Sequence, residues 1–190
     1  MRLQRSVRIM LMKILDKLLY HLRFVKPEKI AKRIGVRQGN NCRFFDDPYR
    51  MFGTEPYLVT VGNNVEISNG TRFVTHDGGV YVLRTLYPSD FGELDKIKPI
   101  SVGNNVYFGF DCIILPGVKI GNNVVIGAHS LVSRDIPDDV VVGGVPAKVI
   151  ESLDEYKIKI LKNSFPTKKM SRADKKEYLR KVCLDATIEK

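Results

Sequence analysis

Of the three histidines in this chain, His21, His76 and His129, one stands in a setting suited to proton transfer. His76 occupies the string Thr75-His76-Asp77-Gly78-Gly79, at the point where a regular pattern breaks off. His129 lies within a regular unit, IGAHSL, and reads as a structural or surface residue. His21 lies on a helix-patterned segment and reads as surface or packing. An imidazole that titrates near ~6.5 is largely neutral at pH 7 and can take a proton from a hydroxyl. Asp77 is a candidate to orient that ring, although adjacent residues on a strand point to opposite sides. No Ser-His-Asp or Cys-His pattern accompanies it. Cys42, Cys112 and Cys183 are too scattered for a disulfide framework or a metal site, and Cys112 reads as a small buried hydrophobe. A zinc site with three histidine ligands would have to recruit His21 from the far N-terminal helix, so no metal is expected.

The element that must position His76 is written with a period of six. From Val61 the chain reads VGNNVE, ISNGTR, FVTHDG, and from Val102 it reads VGNNVY, FGFDCI, ILPGVK, IGNNVV, IGAHSL, VSRDIP. The first position is aliphatic or Phe in every unit: Val61, Ile67, Phe73, Val102, Phe108, Ile114, Ile120, Ile126 and Val132. Neither helical spacing nor simple alternation has this period. It describes a coil of short strands with sharp corners, where each inward residue stacks on its equivalent one turn later. Gly and Asn are expected to supply the left-handed backbone that corners need. The triplet GNN begins at Gly39, Gly62, Gly103 and Gly121, and the last two are 18 residues apart, one turn of a three-sided coil. The break from about Gly78 to Pro99 is too long for a corner, and such loops carry function. If it leaves and re-enters at one corner, Val61 stacks on Val102 and then Ile120, and the phase survives.

The net charge of +10 is unevenly placed. Residues 1–33 carry ten Lys/Arg against two acids, residues 151–190 eleven against seven, and residues 34–150 ten against twelve. The body lacks the basic, aromatic-interleaved stripe of a nucleic-acid binder. Leu3, Val7, Met10, Leu11, Ile14, Leu15, Leu18, Leu19 and Leu22 recur at helical spacing over residues 3–25. That helix is expected to pack on the coil or on a neighbouring subunit; the alternative is weak peripheral contact with an anionic membrane. Lys13 and Asp16 interrupt its apolar run, which argues against a signal peptide, and no run is long enough to span a bilayer. The expected location is cytoplasmic. Residues 151–182 read as two helical pieces split near Pro166, with Ser171 as an N-cap.

With these motifs the chain resembles the hexapeptide-repeat acyltransferases, over about residues 34–150. It is most similar to the sugar O-acetyltransferases that include maltose, galactoside and surface-polysaccharide enzymes. The resemblance implies a mainly β fold, a left-handed parallel β-helix with helical appendages at 1–33 and 151–190 and an active-site loop at 78–99. It implies a homotrimer and acetyl-CoA as acyl donor, with His76 as general base. The segment Tyr107-Phe108-Gly109 stands where the family often has Trp-Ile-Gly, and the backbone of Phe110 matches the position contacting the acetyl end of the donor. Ala128 would lie against the pantetheine arm, Ser133 matches a further contact, and Arg134 and Lys148, in GVPAKVI, would face the phosphates. For the acceptor, position alone offers Tyr81, Arg84 and Asp95 on the loop, and Asp46, Glu55 and Tyr57 before the first clear turn. The expected reaction is O-acetylation of a sugar or surface-polysaccharide precursor. N-acetylation of an amino-sugar nucleotide or antibiotic is the alternative, and an inactive assembly module is the non-enzymatic one.

Overall fold

A computed structural model describes residues 2–21 and 25–185. Two compact units divide the chain, one reaching to Tyr156 and one beginning at Lys157. The first opens with helices α1 (Arg2–His21) and α2 (Pro27–Ile34), short strands β1 (Arg37–Gln38) and β2 (Arg43–Phe44), and helix α3 (Pro48–Met51). Then come β3 (Val59–Val61), β4 (Glu66–Ile67), β5 (Arg72–Phe73), helices α4 (Val80–Leu86) and α5 (Pro88–Phe91), and β6 (Ile100–Val102). The series closes with β7 (Val106–Phe108), β8 (Ile113–Ile114), β9 (Lys119–Ile120), β10 (Val124–Ile126), β11 (Leu131–Val132), β12 (Val140–Gly143) and β13 (Lys148–Ser152).

From β3 to β11 the strands are dealt in turn to three sheets, ordered β1-β3-β6-β9, β13-β12-β10-β7-β4-β2 and β11-β8-β5. Every pair is parallel except β12 with β13, where the chain turns back and ends the stack. The period of six dictates this arrangement. All nine first-position residues are at most 4% exposed, so each turn contributes three inward side chains to one continuous core. Burying each stabilises the fold by about 1.5–3 kcal/mol relative to exposure. Phe73 and Phe108 continue into Phe52 and Phe44, four rings with neighbouring centroids 5.2–5.5 Å apart.

One corner carries an asparagine ladder. Asn63 N–H donates to Asn104 Oδ1 at 2.8 Å and Asn104 N–H to Asn122 Oδ1 at 2.9 Å. The left-handed residues here are the second asparagines, Asn41, Asn64, Asn105 and Asn123, at φ of 55° to 57°. The glycines of GNN do another job, which corrects the expectation for them. A Cβ on Gly103 would stand 2.5 Å from the Gly121 carbonyl oxygen, so glycine is there to let successive turns approach.

Phase is preserved across the break: Val61 pairs with Val102 and Val102 with Ile120. The excursion contains α4 and α5, which no periodicity had announced. Helix α2 begins at Pro27 and ends at Gly35, whose φ of 111° closes a left-handed cap, and its Ile30 and Ala31 are buried. Residues 34–150 are therefore not strand throughout, since α3 lies among the first strands.

Of the N-terminal apolar pattern, Arg2–His21 is helix; Leu22 lies outside the described residues, as do the side chains of Leu3, Val7 and His21. Its apolar face is not packed on the stack. Met10, Leu11, Ile14, Leu15 and Leu18 are exposed while Asp16 is buried. Among the described residues no helix is long and apolar enough to cross a membrane. Helix α6 (Leu153–Lys162) follows, and the second unit contains α7 (Arg172–Arg180), with Ser171 accepting from Asp174 N–H at 3.2 Å.

Candidate active site

Thr75 and His76 follow β5, at the edge where the excursion departs. The returning chain pins that edge: His76 bridges to Ile97, Asp77 N–H donates to the Lys96 carbonyl and Lys98 N–H to the Thr75 carbonyl, each at 2.9 Å. His76 is held in place while its ring stays half exposed.

The ring is oriented by Glu55, not by Asp77. Glu55 Oε2 lies 2.9 Å from His76 Nδ1 and accepts from Thr75 Oγ1 at 2.7 Å. Burial opposes the charge on Glu55, yet hydrogen bonds from Thr75, His76 and Thr54 outweigh it and hold the carboxyl below its ordinary value. An ionised carboxylate can only accept, so the network assigns the proton to Nδ1 and leaves Nε2 as the basic lone pair. Nε2 has no partner among the described residues. Asp77 turns away to Lys96 Nζ at 2.8 Å and Gly79 N–H at 2.9 Å; Lys96 first and Gly79 second lower its carboxyl's titration.

His76 opens on a cleft of about 410 Å³ whose walls include Val74, Lys96, Lys98, Leu115, Pro116 and Ser133. Of the residues expected on the donor side, Ser133 alone lines this cleft. Tyr107 lies on the sheet of β4, β7 and β10, where it lines a separate depression with Glu66 and Val125. Gly109 is buried, and a Cβ there would stand 2.5 Å from Ala128 N. Phe110 and Ala128 are exposed at the next corner, and the Phe110 N–H donates to no acceptor among the described residues. Arg134 and Lys148 are exposed and form no ion pair with a described residue.

The positional acceptor candidates separate. Arg84 donates to the Leu94 carbonyl at 2.6 Å and pairs with Asp95, so both bind the excursion to itself. Tyr81 is exposed on α4. Burial works against the charge on Asp46, but Arg72 at 2.8 Å and the N–H groups of Asp47 and Gly70 pull its titration down, and it serves the stack. Tyr57 lines a different cavity, beside α1. Glu55 is the partner of His76 described above. Lys96 and Lys98 escaped notice in the sequence because a lysine in a long loop has no pattern. His129 takes a corner at φ 57°, in keeping with a structural role.

The chain matches the bacterial transferase hexapeptide (six repeats) family over residues 99–134. It is 50% identical over 157 residues to Protein CapG of Staphylococcus aureus, covering 83% of this chain and 88% of that protein. It is 44% identical over 121 residues to galactoside O-acetyltransferase of Escherichia coli K12, covering 62% of this chain and 57% of that one. In fold it is similar to the hexapeptide-repeat acetyltransferase VCA0836 of Vibrio cholerae, with a TM-score of 0.50 at 24% identity, covering 66% and 78% of the two chains.

Proposed function

We propose, for a chain that belongs to the hexapeptide-repeat acetyltransferase family, the transfer of an acetyl group from acetyl-CoA to a hydroxyl of a sugar or surface-polysaccharide precursor. The observation that carries the reading is the His76–Glu55 pair at the mouth of the cleft. His76 Nε2 takes the hydroxyl proton as the oxygen attacks the thioester carbonyl. The new C–O bond forms, the C–S bond breaks, and the proton passes to the departing thiolate. Glu55 holds the ring in the basic tautomer and offsets the charge that the ring gains. The unengaged Phe110 N–H suits the developing oxyanion, and Arg134 and Lys148 suit the donor phosphates.

In this reading residues 34–150 form a left-handed parallel β-helix that carries the catalysis, with the excursion at 78–99 as its active-site loop and residues 1–33 and 151–190 as appendages. Three copies assemble with the donor lying between neighbours. The separation of Ser133 from Tyr107, Phe110 and Ala128 supports that assembly, because one copy's His76 can then work with its neighbour's donor contacts. The enzyme acts in the cytoplasm, where acyl-CoA donors are available, and its N-terminal helix gives it a peripheral membrane contact.

The test is a panel of sugars incubated with acetyl-CoA while free thiol is followed. The expected product is an ester, cleaved by mild alkali; an alkali-stable amide would move the reading to N-acetylation. Mixing inactive His76→Ala chains with chains inactivated in the donor segment should restore activity in mixed trimers, and no restoration would count against shared sites.

A further inference from the structure

Helix α1 buries a charge and exposes its hydrocarbon. Asp16 is 1% exposed; its Oδ1 lies 2.8 Å from the Arg33 guanidinium and its Oδ2 accepts from the Tyr49 hydroxyl at 2.9 Å. Lys13 lies over the Tyr49 ring on the same side. These contacts fix the helix's rotation. At about 100° per residue, Met10, Leu11, Ile14, Leu15 and Leu18 then fill an outward arc of about 140°, and each is more than half exposed. Leu19 and Tyr20 are half-buried on the other side, where Met12, still exposed, lines a cavity with Arg33 and Tyr49.

We infer that this face lies in the interface of an anionic membrane, holding the proposed acetyltransferase against a lipid surface. The inference deepens the peripheral contact of that reading and does not depend on acetyl transfer.

Charge selects the occupant. Residues 1–33 carry ten basic residues and two acidic ones, and both acids are turned inward. Asp16 is spent on Arg33 and Tyr49, and Glu28 accepts the Phe44 N–H at 2.7 Å. The exposed charge of this segment is therefore cationic, Lys26, Lys29 and Lys32 of the α2 segment included. A second copy on the same face would bring two strongly basic segments together, whereas anionic headgroups are attracted to each cation. The arc is also wider than the narrow seam by which helices pair in a coiled coil. No described helix is apolar enough to span, so α1 lies on the surface rather than crossing it.

The test is co-sedimentation of the full chain with vesicles of phosphatidylcholine alone or mixed with phosphatidylglycerol. Binding is expected to the mixed vesicles only and to weaken as salt is raised. A Leu11→Glu/Leu15→Glu variant should bind at least about tenfold more weakly, since two outward leucines no longer enter the hydrocarbon boundary. Its helical circular dichroism and thiol release should stay unchanged. Ile14→Ala/Leu18→Ala, which keeps a strong helix former at both sites, should fall between that variant and the parent. The proposal is overturned if the parent chain ignores anionic vesicles or if the glutamate variant binds them equally well. It is also overturned if that variant changes the sedimentation coefficient without lipid, which would mean that another copy covers the face. Failure of thiol release with vesicle binding intact would strike the proposed reaction and leave the membrane contact standing.

Discussion

Replacing Glu55 by Gln separates two roles that its position before β3 and its geometry suggest. The carboxylate takes two hydrogen bonds at Oε2, from Thr75 Oγ1 at 2.7 Å and from His76 Nδ1 at 2.9 Å. A glutamine oxygen can still accept, but it carries no charge, and its NH2 can donate to Nδ1 and drive the proton to Nε2, the tautomer that cannot act as base. A hydrogen bond to a charged group contributes about 1.5–3 kcal/mol, and at 1.36 kcal/mol per decade the loss corresponds to a kcat about 10- to 150-fold lower. Because the pair meets no ligand directly, KM for acetyl-CoA and for the acceptor should stay within about twofold. Saturation kinetics of thiol release in both substrates, on parent and variant, reads all three quantities. An unchanged kcat with a raised acceptor KM would return Glu55 to the acceptor site and refute the reasoning, as would unchanged kinetics throughout.

His76→Ala should lower turnover by roughly 2–4 orders of magnitude, with CoA binding intact by calorimetry; near-normal turnover would remove His76 from the mechanism. The Tyr49 phenol is pushed up to about 12 by burial first and by its bond to Asp16 second. Its folded value stands above the unfolded value of about 10, so its contribution is complete below pH 10 and is lost as pH rises toward 12. The difference in melting temperature between the parent and Tyr49→Phe should therefore shrink across that window, and a constant difference would exclude this linkage. Gly103→Ala must displace backbone, since its Cβ would stand 2.5 Å from the Gly121 carbonyl oxygen, and should cost about 1–3 kcal/mol in denaturant melts. Gly127→Ala, whose nearest neighbour would be 3.4 Å away, should lie within about 1 kcal/mol of the parent.

How far residues reveal structure differed by feature. The inward side chains were legible because stacking repeats one requirement at every turn: Val61, Val102 and Ile120 each answer the same cavity one rung apart. The GNN corners were legible as corners, while the division of labour within them was not. A left-handed φ at Asn105 and a close approach at Gly103 leave one shared signature, a small or amide residue. Helices α4 and α5 lay in the non-repeating stretch, where propensity is weak. The amphipathic pattern of α1 was plain, but a pattern does not say which face turns inward. That was decided by Asp16 meeting Arg33 and Tyr49, partners 17 and 33 residues away along the chain. His76 stood out through the break it adjoins. Glu55 was noticed but its bond to His76 was not, because its distance from His76 along the chain is no multiple of the repeat.

A site at the edge of a stacked coil solves a problem that the stack itself creates. Residues facing inward are bound to their rungs, and a substitution at Phe73 or Ile114 is felt by the turns above and below. Chemistry therefore has to sit where the chain leaves the repeat without disturbing it. Here the excursion leaves after Thr75 and returns at Lys98, whose N–H bonds the Thr75 carbonyl, so the rungs before and after it stay in register. Within that closed detour His76 faces outward and Thr75 inward, as alternate strand residues must. Glu55 arrives from the chain below to bind both. The inward threonine ties the carboxylate to the rigid stack, and the carboxylate ties the imidazole to the cleft. The orientation of the imidazole is thus inherited from the core.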